Sequence, residues 1–77
     1  MAKRKVYHVT FHKNEGWFVK LEKTDVVISS HKLKDDAVDM ACHIARANEP
    51  SQVKIHHQDG TFEREVTYGN DPFPPYG

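Results

Sequence analysis

The spacing of apolar residues changes twice along the chain, and this change limits the folds it can form. Apolar and polar residues alternate over residues 5–11 and 17–21, which is typical of strands, and residues 26–30 form a weaker strand pattern because Val26-Val27-Ile28 is a continuous apolar run. Residues 34–48 follow a helical period with an alanine-rich stripe on one side, and alternation returns from Val53 to Tyr68. The pattern predicts an α+β domain in the order β-β-β-α-β-β, with an antiparallel sheet and one helix packed on one face. It leaves open whether all five strands form one sheet.

Two polar turns divide the first thirty residues into a three-stranded meander. The turns are residues 13–16 and 22–25, and the strands are predicted over residues 5–11, 17–21 and 26–30. Trp17 shares a face with Val19 and Leu21, so we expect it in the core. Phe18 points to the opposite side, and is the aromatic residue that we expect to be exposed.

The second hairpin carries the clearest turn signal. Asp59-Gly60 between two alternating runs is typical of a two-residue turn. Such a turn places Ile55 opposite Arg64 on the face toward the helix. It predicts four further pairs, two on each face: Val53 with Val66 and His57 with Phe62 toward the helix, and Lys54 with Glu65 and His56 with Glu63 away from it.

The predicted helix has acidic residues at its start and a proline after its end. Asp35 and Asp36 lie in the first turn, where carboxylates favour the positive end of the helix dipole. The N-cap position falls on Leu33 or Lys34, and neither offers a capping side chain, so the start of the helix is not well sealed. Pro50 ends the helix, because the residue before a proline avoids helical geometry.

The chain has 77 residues, which suffice for one domain. We predict a single domain over residues 1–68 and a proline-rich tail over residues 69–77, with Phe73 docked on its own domain. Cys42 is the only cysteine, which excludes an internal disulfide and fits the cytoplasm. The basic start is not followed by an apolar stretch, so we expect no signal peptide and no membrane span.

Charge is balanced overall but not along the chain. Residues 1–34 hold eight Lys or Arg and three Asp or Glu, a net of +5, and residues 35–77 hold three and eight, a net of −5. This asymmetry can form a basic face and an acidic face. The preferred interpretation is that sheet and helix surfaces are simply solvated by different charges.

Several segments together resemble a known family. They are Tyr7-His8-Val9-Thr10, Gly16-Trp17 with Val19 and Lys20, Ser30-His31, Ile55-His56, Asp59-Gly60 and the ending Tyr68-Gly69-Asn70-Asp71-Pro72-Phe73-Pro74-Pro75. The chain resembles domain-of-unknown-function family 2188, short single-domain bacterial proteins. The chain departs from the family pattern at Leu33, where similar sequences tend to have a threonine cap. The resemblance supports the architecture and the cytoplasmic setting and implies no activity, cofactor or site residue.

No catalytic or cofactor-binding motif stands out, so we expect a protein that is not an enzyme and needs no cofactor or small-molecule substrate. Cys42 and His43 diverge around the helix axis, and no glycine-rich phosphate loop is present. Three of the six histidines, His8, His31 and His56, can meet across neighbouring strands. Without a metal-binding motif, surface histidines are the preferred interpretation.

Two functions remain, both without an active site. The leading hypothesis is a protein-interaction module or self-association, favoured by the small core and the outer sheet face. The alternative is nucleic-acid binding by the basic meander. Its candidate residues are Lys13, Phe18, Lys20, Lys23 and Lys32. An apolar and flat outer face favours a protein partner, and a basic and ridged one favours nucleic acid.

Overall fold

A computed structural model describes residues 4–24 and 26–69. The six elements are β1 (Lys5–His12), β2 (Gly16–Leu21), β3 (Val27–His31), α1 (Lys34–Ala47), β4 (Ser51–His56) and β5 (Phe62–Tyr68). They follow the predicted order, within two residues at each end. The tail beyond Gly69, with the predicted docking of Phe73, lies outside the described residues, and the division at residue 68 stays a prediction.

The five strands form one sheet, in the order β3-β2-β1-β4-β5. The prediction of an antiparallel sheet was wrong in one respect, because β1 and β4 are parallel neighbours and the sheet is therefore mixed. The physical reason is the connection between β3 and β4. A helix lying across the sheet returns the chain to the end from which β1 starts, so the next strand can run parallel to β1. The other neighbouring pairs are antiparallel.

The core lies between α1 and one face of the sheet. Ala37, Ala41 and Ala45 are fully buried, and their small side chains let the helix approach the strands closely. The sheet contributes buried side chains from three adjacent strands, namely Tyr7, Val9, Trp17, Val19, Val53 and Ile55. Trp17 is therefore a core residue, as predicted, and the helix covers only this face.

The helix ends are held by contacts beyond the helix itself. Leu33 makes no side-chain cap, as the sequence predicted. Lys34 instead forms an ion pair with Glu63 of β5 and lies over the Trp17 ring, 5.5 Å from its centroid. At the other end the buried Ser51 hydroxyl donates to the Ala45 carbonyl oxygen at 2.5 Å. The helix is thus tied to strands at both ends.

The β4–β5 hairpin differs from the prediction near its turn. Asp59 does not have the positive φ that a two-residue turn requires, and its carboxylate accepts hydrogen bonds from Thr61. The His57 N–H donates to the Thr61 carbonyl oxygen at 2.7 Å, which closes a three-residue loop.

The longer loop changes the pairing near the turn and nowhere else. His56 pairs with Phe62, so the predicted pairs His57–Phe62 and His56–Glu63 were wrong. A bulge beyond this pair absorbs the extra residue and restores the predicted register at Ile55 and Arg64. Phe62 consequently lies on the sheet face that the helix does not cover.

Candidate nucleic-acid interface

The sheet face opposite α1, called the open face below, carries a row of charged side chains. Lys20, His8 and Lys54 are register partners on β2, β1 and β4. Because adjacent strands are about 4.8 Å apart, the row spans about 10 Å. Glu65 of β5 continues it beyond Lys54. The middle of the open face thus presents a histidine with one lysine on each side.

Aromatic rings lie beside this row, in two groups. His12 stacks on Phe18, with ring centroids 4.3 Å apart and planes inclined by 23°. His56 meets the edge of Phe62, with centroids 6.0 Å apart. Phe18 and Phe62 are three strand steps apart, which corresponds to about 14 Å across the sheet. Thr10 lies between the groups and contacts the His12 ring at 3.1 Å.

The two phenylalanines differ in their exposure. Phe18 is half-buried beneath the His12 ring, so the expectation that it would be the exposed aromatic was only partly right. Phe62 is 53% exposed. The alternation of β2 correctly placed Phe18 on the open face, whereas the bulge in β5 hid the position of Phe62 from sequence reasoning.

A chain of hydrogen bonds crosses the centre of the open face. Glu22 and Nε2 of His8 are 3.0 Å apart, and Nδ1 of His8 lies 3.0 Å from Nε2 of His56. The hydrogen bond from His8 lowers the pKa of Glu22, which keeps it a carboxylate. Burial, followed by the charge of His8, lowers the pKa of His56, which favours a neutral ring at pH 7.

The five predicted nucleic-acid residues do not form one cluster. Phe18 and Lys20 lie on the open face, in β2. Lys13 and Lys32 lie near one end of the meander, where β1 turns into β2 and β3 ends, and Lys23 lies in the turn at the opposite end. They follow the length of β2, rather than forming a patch.

Sequence reasoning missed the partners that β4 and β5 bring to this surface. Lys54 and His56 come beside β1 only through the parallel pairing. Alternation in β1 gave a usable signal, since it placed His8 and Thr10 opposite the core residues. Of the three histidines that were expected to meet, His8 and His56 do, whereas His31 contacts Ser29 on β3.

Three of the eight acidic residues in the second half of the chain lie on the helix. Asp35, Asp36 and Asp39 are exposed on α1, opposite the lysines of the open face. The helix also carries Lys34 and Arg46, and Glu65 of β5 lies beside Lys54, so the charge asymmetry of the sequence does not become an asymmetry between the helix and the sheet. Glu22 and Glu65 reduce the positive charge of the open face, so its attraction for anions is moderate and local.

Comparison with known proteins gives one match. A family described as an uncharacterized protein conserved in bacteria has a model that matches residues 7–68, which is most of the chain. The chain belongs to domain-of-unknown-function family 2188. No curated protein and no solved structure matches this family 2188 chain significantly. The matched segment begins within β1 and runs to the end of β5, so it includes the charged row and both aromatic groups of the open face.

Two kinds of feature bear on the setting of this family 2188 domain. No helix in the described part of the chain is long and apolar enough to cross a membrane. Among residues 4–24 and 26–69, no three metal-binding side chains converge on one point.

Proposed function

We propose that the domain binds single-stranded nucleic acid on the open face of its sheet. One observation carries this proposal: two aromatic groups, Phe18 with His12 and Phe62 with His56, lie on the open face beside the row that contains Lys20 and Lys54. Aromatic rings stack on any base, and lysines attract the phosphates between them. This combination favours unpaired strands, whose bases are free to stack.

The composition of the open face supports nucleic acid over a flat protein contact. Its central strands carry histidines, threonine and lysines rather than aliphatic side chains, and Val6 is the aliphatic residue of β1 on this side. Lys20 and Lys54 also lie about 10 Å apart across three strands, which separates two positions for phosphates. The balanced total charge predicts weak binding that weakens further as the salt concentration rises.

The test is fluorescence anisotropy of labelled pyrimidine oligonucleotides of about eight residues, a length within the usual site sizes of small domains. Phe62→Ala should weaken binding by about fivefold or more, because stacking contributes about 1–3 kcal/mol per base. Lys20→Ala and Lys54→Ala should each reduce the salt dependence by about 0.7 in the log–log slope, the value for one phosphate of a single strand.

The controls change the same chemistry elsewhere on the domain. Arg46→Ala removes one positive charge from α1, and Leu33→Ala removes an exposed apolar side chain before the helix. Neither should alter binding. Equal losses of affinity in Arg46→Ala and Lys20→Ala would show that binding depends only on the total charge of the domain. Absence of saturable binding by the wild type at low salt would contradict the proposal.

Self-association is the second candidate, and we propose that it uses β3. This edge strand has no Lys, Arg, Asp or Glu, whereas Glu63, Arg64 and Glu65 occupy the other edge strand. Val26, Val27 and Ile28 are 55%, 43% and 38% exposed. An uncharged apolar edge can pair with the same strand of a second copy around a two-fold axis.

Sedimentation across a concentration series tests this second candidate. The wild type should form a dimer, and Val27→Lys should dissociate it by placing a charge in the interface. Thr67→Lys places the same charge on β5, the other edge strand, and should leave the dimer intact. A wild type that stays monomeric at the highest concentration contradicts pairing through β3. Both candidates suit the cytoplasm, which we propose as the location because the single thiol of Cys42 is stable in a reducing compartment.

A further inference from the structure

The pair of histidines at the centre of the open face has the elements of a metal site. His8 and His56 extend from the parallel neighbours β1 and β4, and their facing nitrogens, Nδ1 and Nε2, are 3.0 Å apart. Their planes are inclined by only 20°. Two imidazole nitrogens bound to one ion at right angles, each at about 2.0–2.1 Å, lie about 2.9 Å apart. The backbone therefore holds the two rings at a separation suited to chelation.

Glu22 supplies the support that metal-binding histidines usually have. Its carboxylate lies 3.0 Å from Nε2 of His8 and accepts that N–H, which leaves Nδ1 of His8 directed at His56. A carboxylate behind a histidine fixes the tautomer and the ring orientation and raises the basicity of the ligand nitrogen.

From this geometry we infer that His8 and His56 bind a divalent transition-metal ion through Nδ1 and Nε2, with Glu22 orienting His8. Two nitrogen ligands near a right angle favour Cu²⁺ and Ni²⁺ over Mg²⁺ or Ca²⁺, which prefer oxygen. Water fills the remaining positions, because no third protein ligand converges there within the described ranges. Both rings must rotate so that their lone pairs converge on the ion rather than on each other.

Binding of the ion replaces the hydrogen shared by the two rings. In the neutral pair, the proton on Nε2 of His56 moves to Nδ1 of the same ring, which frees Nε2 to bind the ion. A protonated pair must first release one proton to solvent, so affinity falls in acid. The positive charges of Lys20 and Lys54, which flank His8, oppose binding of the positive ion, whereas the negative charge of Glu22 favours it. These opposing charges predict moderate affinity.

The experiment is calorimetric titration of the full chain with Ni²⁺ at neutral pH, with Mg²⁺ as the comparison ion. One ion should bind per chain, with half-saturation below about 1 mM. His8→Ala and His56→Ala should each weaken binding at least tenfold. Glu22→Gln should weaken it by about tenfold or more, the effect typical of an orienting carboxylate. His43→Ala, on the exposed side of α1, should change nothing.

A second measurement keeps the test independent of folding defects in the variants. In the wild type, Ni²⁺ should selectively broaden the histidine ring NMR signals of His8 and His56. Broadening centred on His31 and His43, binding that survives the double His8→Ala/His56→Ala change, or no saturation at neutral pH would each overturn the inference. The oligonucleotide assay contains no metal, so its result neither supports nor weakens this site.

Discussion

Replacing Gly16 by alanine should destabilise the domain much more than replacing Gly60. Both glycines have nearly the same left-handed backbone, with φ of +97° and +94°. An alanine in that conformation costs about 1–2 kcal/mol at either position. At Gly16 a Cβ would also lie 2.4 Å from the His31 carbonyl oxygen, whereas at Gly60 nothing lies within 4 Å.

The contact at Gly16 involves backbone, so the end of β3 must move to relieve it. Forcing extra volume into a packed site typically costs about 1–3 kcal/mol. We therefore expect about 2–5 kcal/mol for Gly16→Ala and about 1–2 kcal/mol for Gly60→Ala. A domain of this size is stable by only about 4–12 kcal/mol, so the first change removes a large part of its stability.

Urea denaturation measures both changes. Trp17 is the single tryptophan and is 8% exposed, so its fluorescence reports unfolding of the core. Far-UV circular dichroism provides a second probe, which is needed because Gly16 adjoins Trp17. Equal losses in the two variants would refute the reasoning, since they would show that the approach of Gly16 to β3 contributes nothing.

Three further predictions concern other contacts. Ser51→Ala should cost about 1 kcal/mol in urea denaturation, because it removes the donor to a helix carbonyl that keeps a second partner; an unchanged midpoint would contradict this. The pKa of His56 lies below its ordinary 6.5, so the unfolded chain takes up more protons than the folded one, and the stability of the domain falls as the pH drops below about 6.5. His56→Asn should flatten this part of the pH profile of stability, and an unaltered profile would contradict this role of His56. The hydrogen bond from Lys34 lowers the pKa of Glu63 below its ordinary 4.5, so its contribution is present above that pH and lost as the pH falls further, and Glu63→Gln should remove this loss.

Local patterns predicted the elements because each depends on nearby residues. Alternation placed Trp17 in the core and Phe18 on the other side, and the helical period placed Ala37, Ala41 and Ala45 among the core-facing residues. The parallel pairing of β1 with β4 was missed for a physical reason. It joins residues more than forty positions apart, for example Tyr7 with Val53, and no periodicity within either strand specifies that neighbour.

The candidate site was predicted less completely than the fold. Phe18 and Lys20 were placed correctly, because they belong to one strand. The positions of Lys54 and His56 could be predicted only from the parallel pairing of β1 with β4. The position of Phe62 could be predicted only from the bulge in β5, which follows from the turn that Asp59 forms with Thr61 rather than from the Asp-Gly signal alone. A surface assembled from three or four strands is therefore visible only after their order is known.

The most direct test of the proposed function is amide chemical-shift mapping of the labelled protein with short single-stranded DNA and RNA, at low and then moderate salt. Binding on the open face predicts shifts that centre on Phe18, Lys20, Lys54 and Phe62, spare α1, and weaken as salt rises. Shifts confined to β3 or α1, or no shifts at low salt, would contradict the account and leave self-association through β3 as the function to pursue.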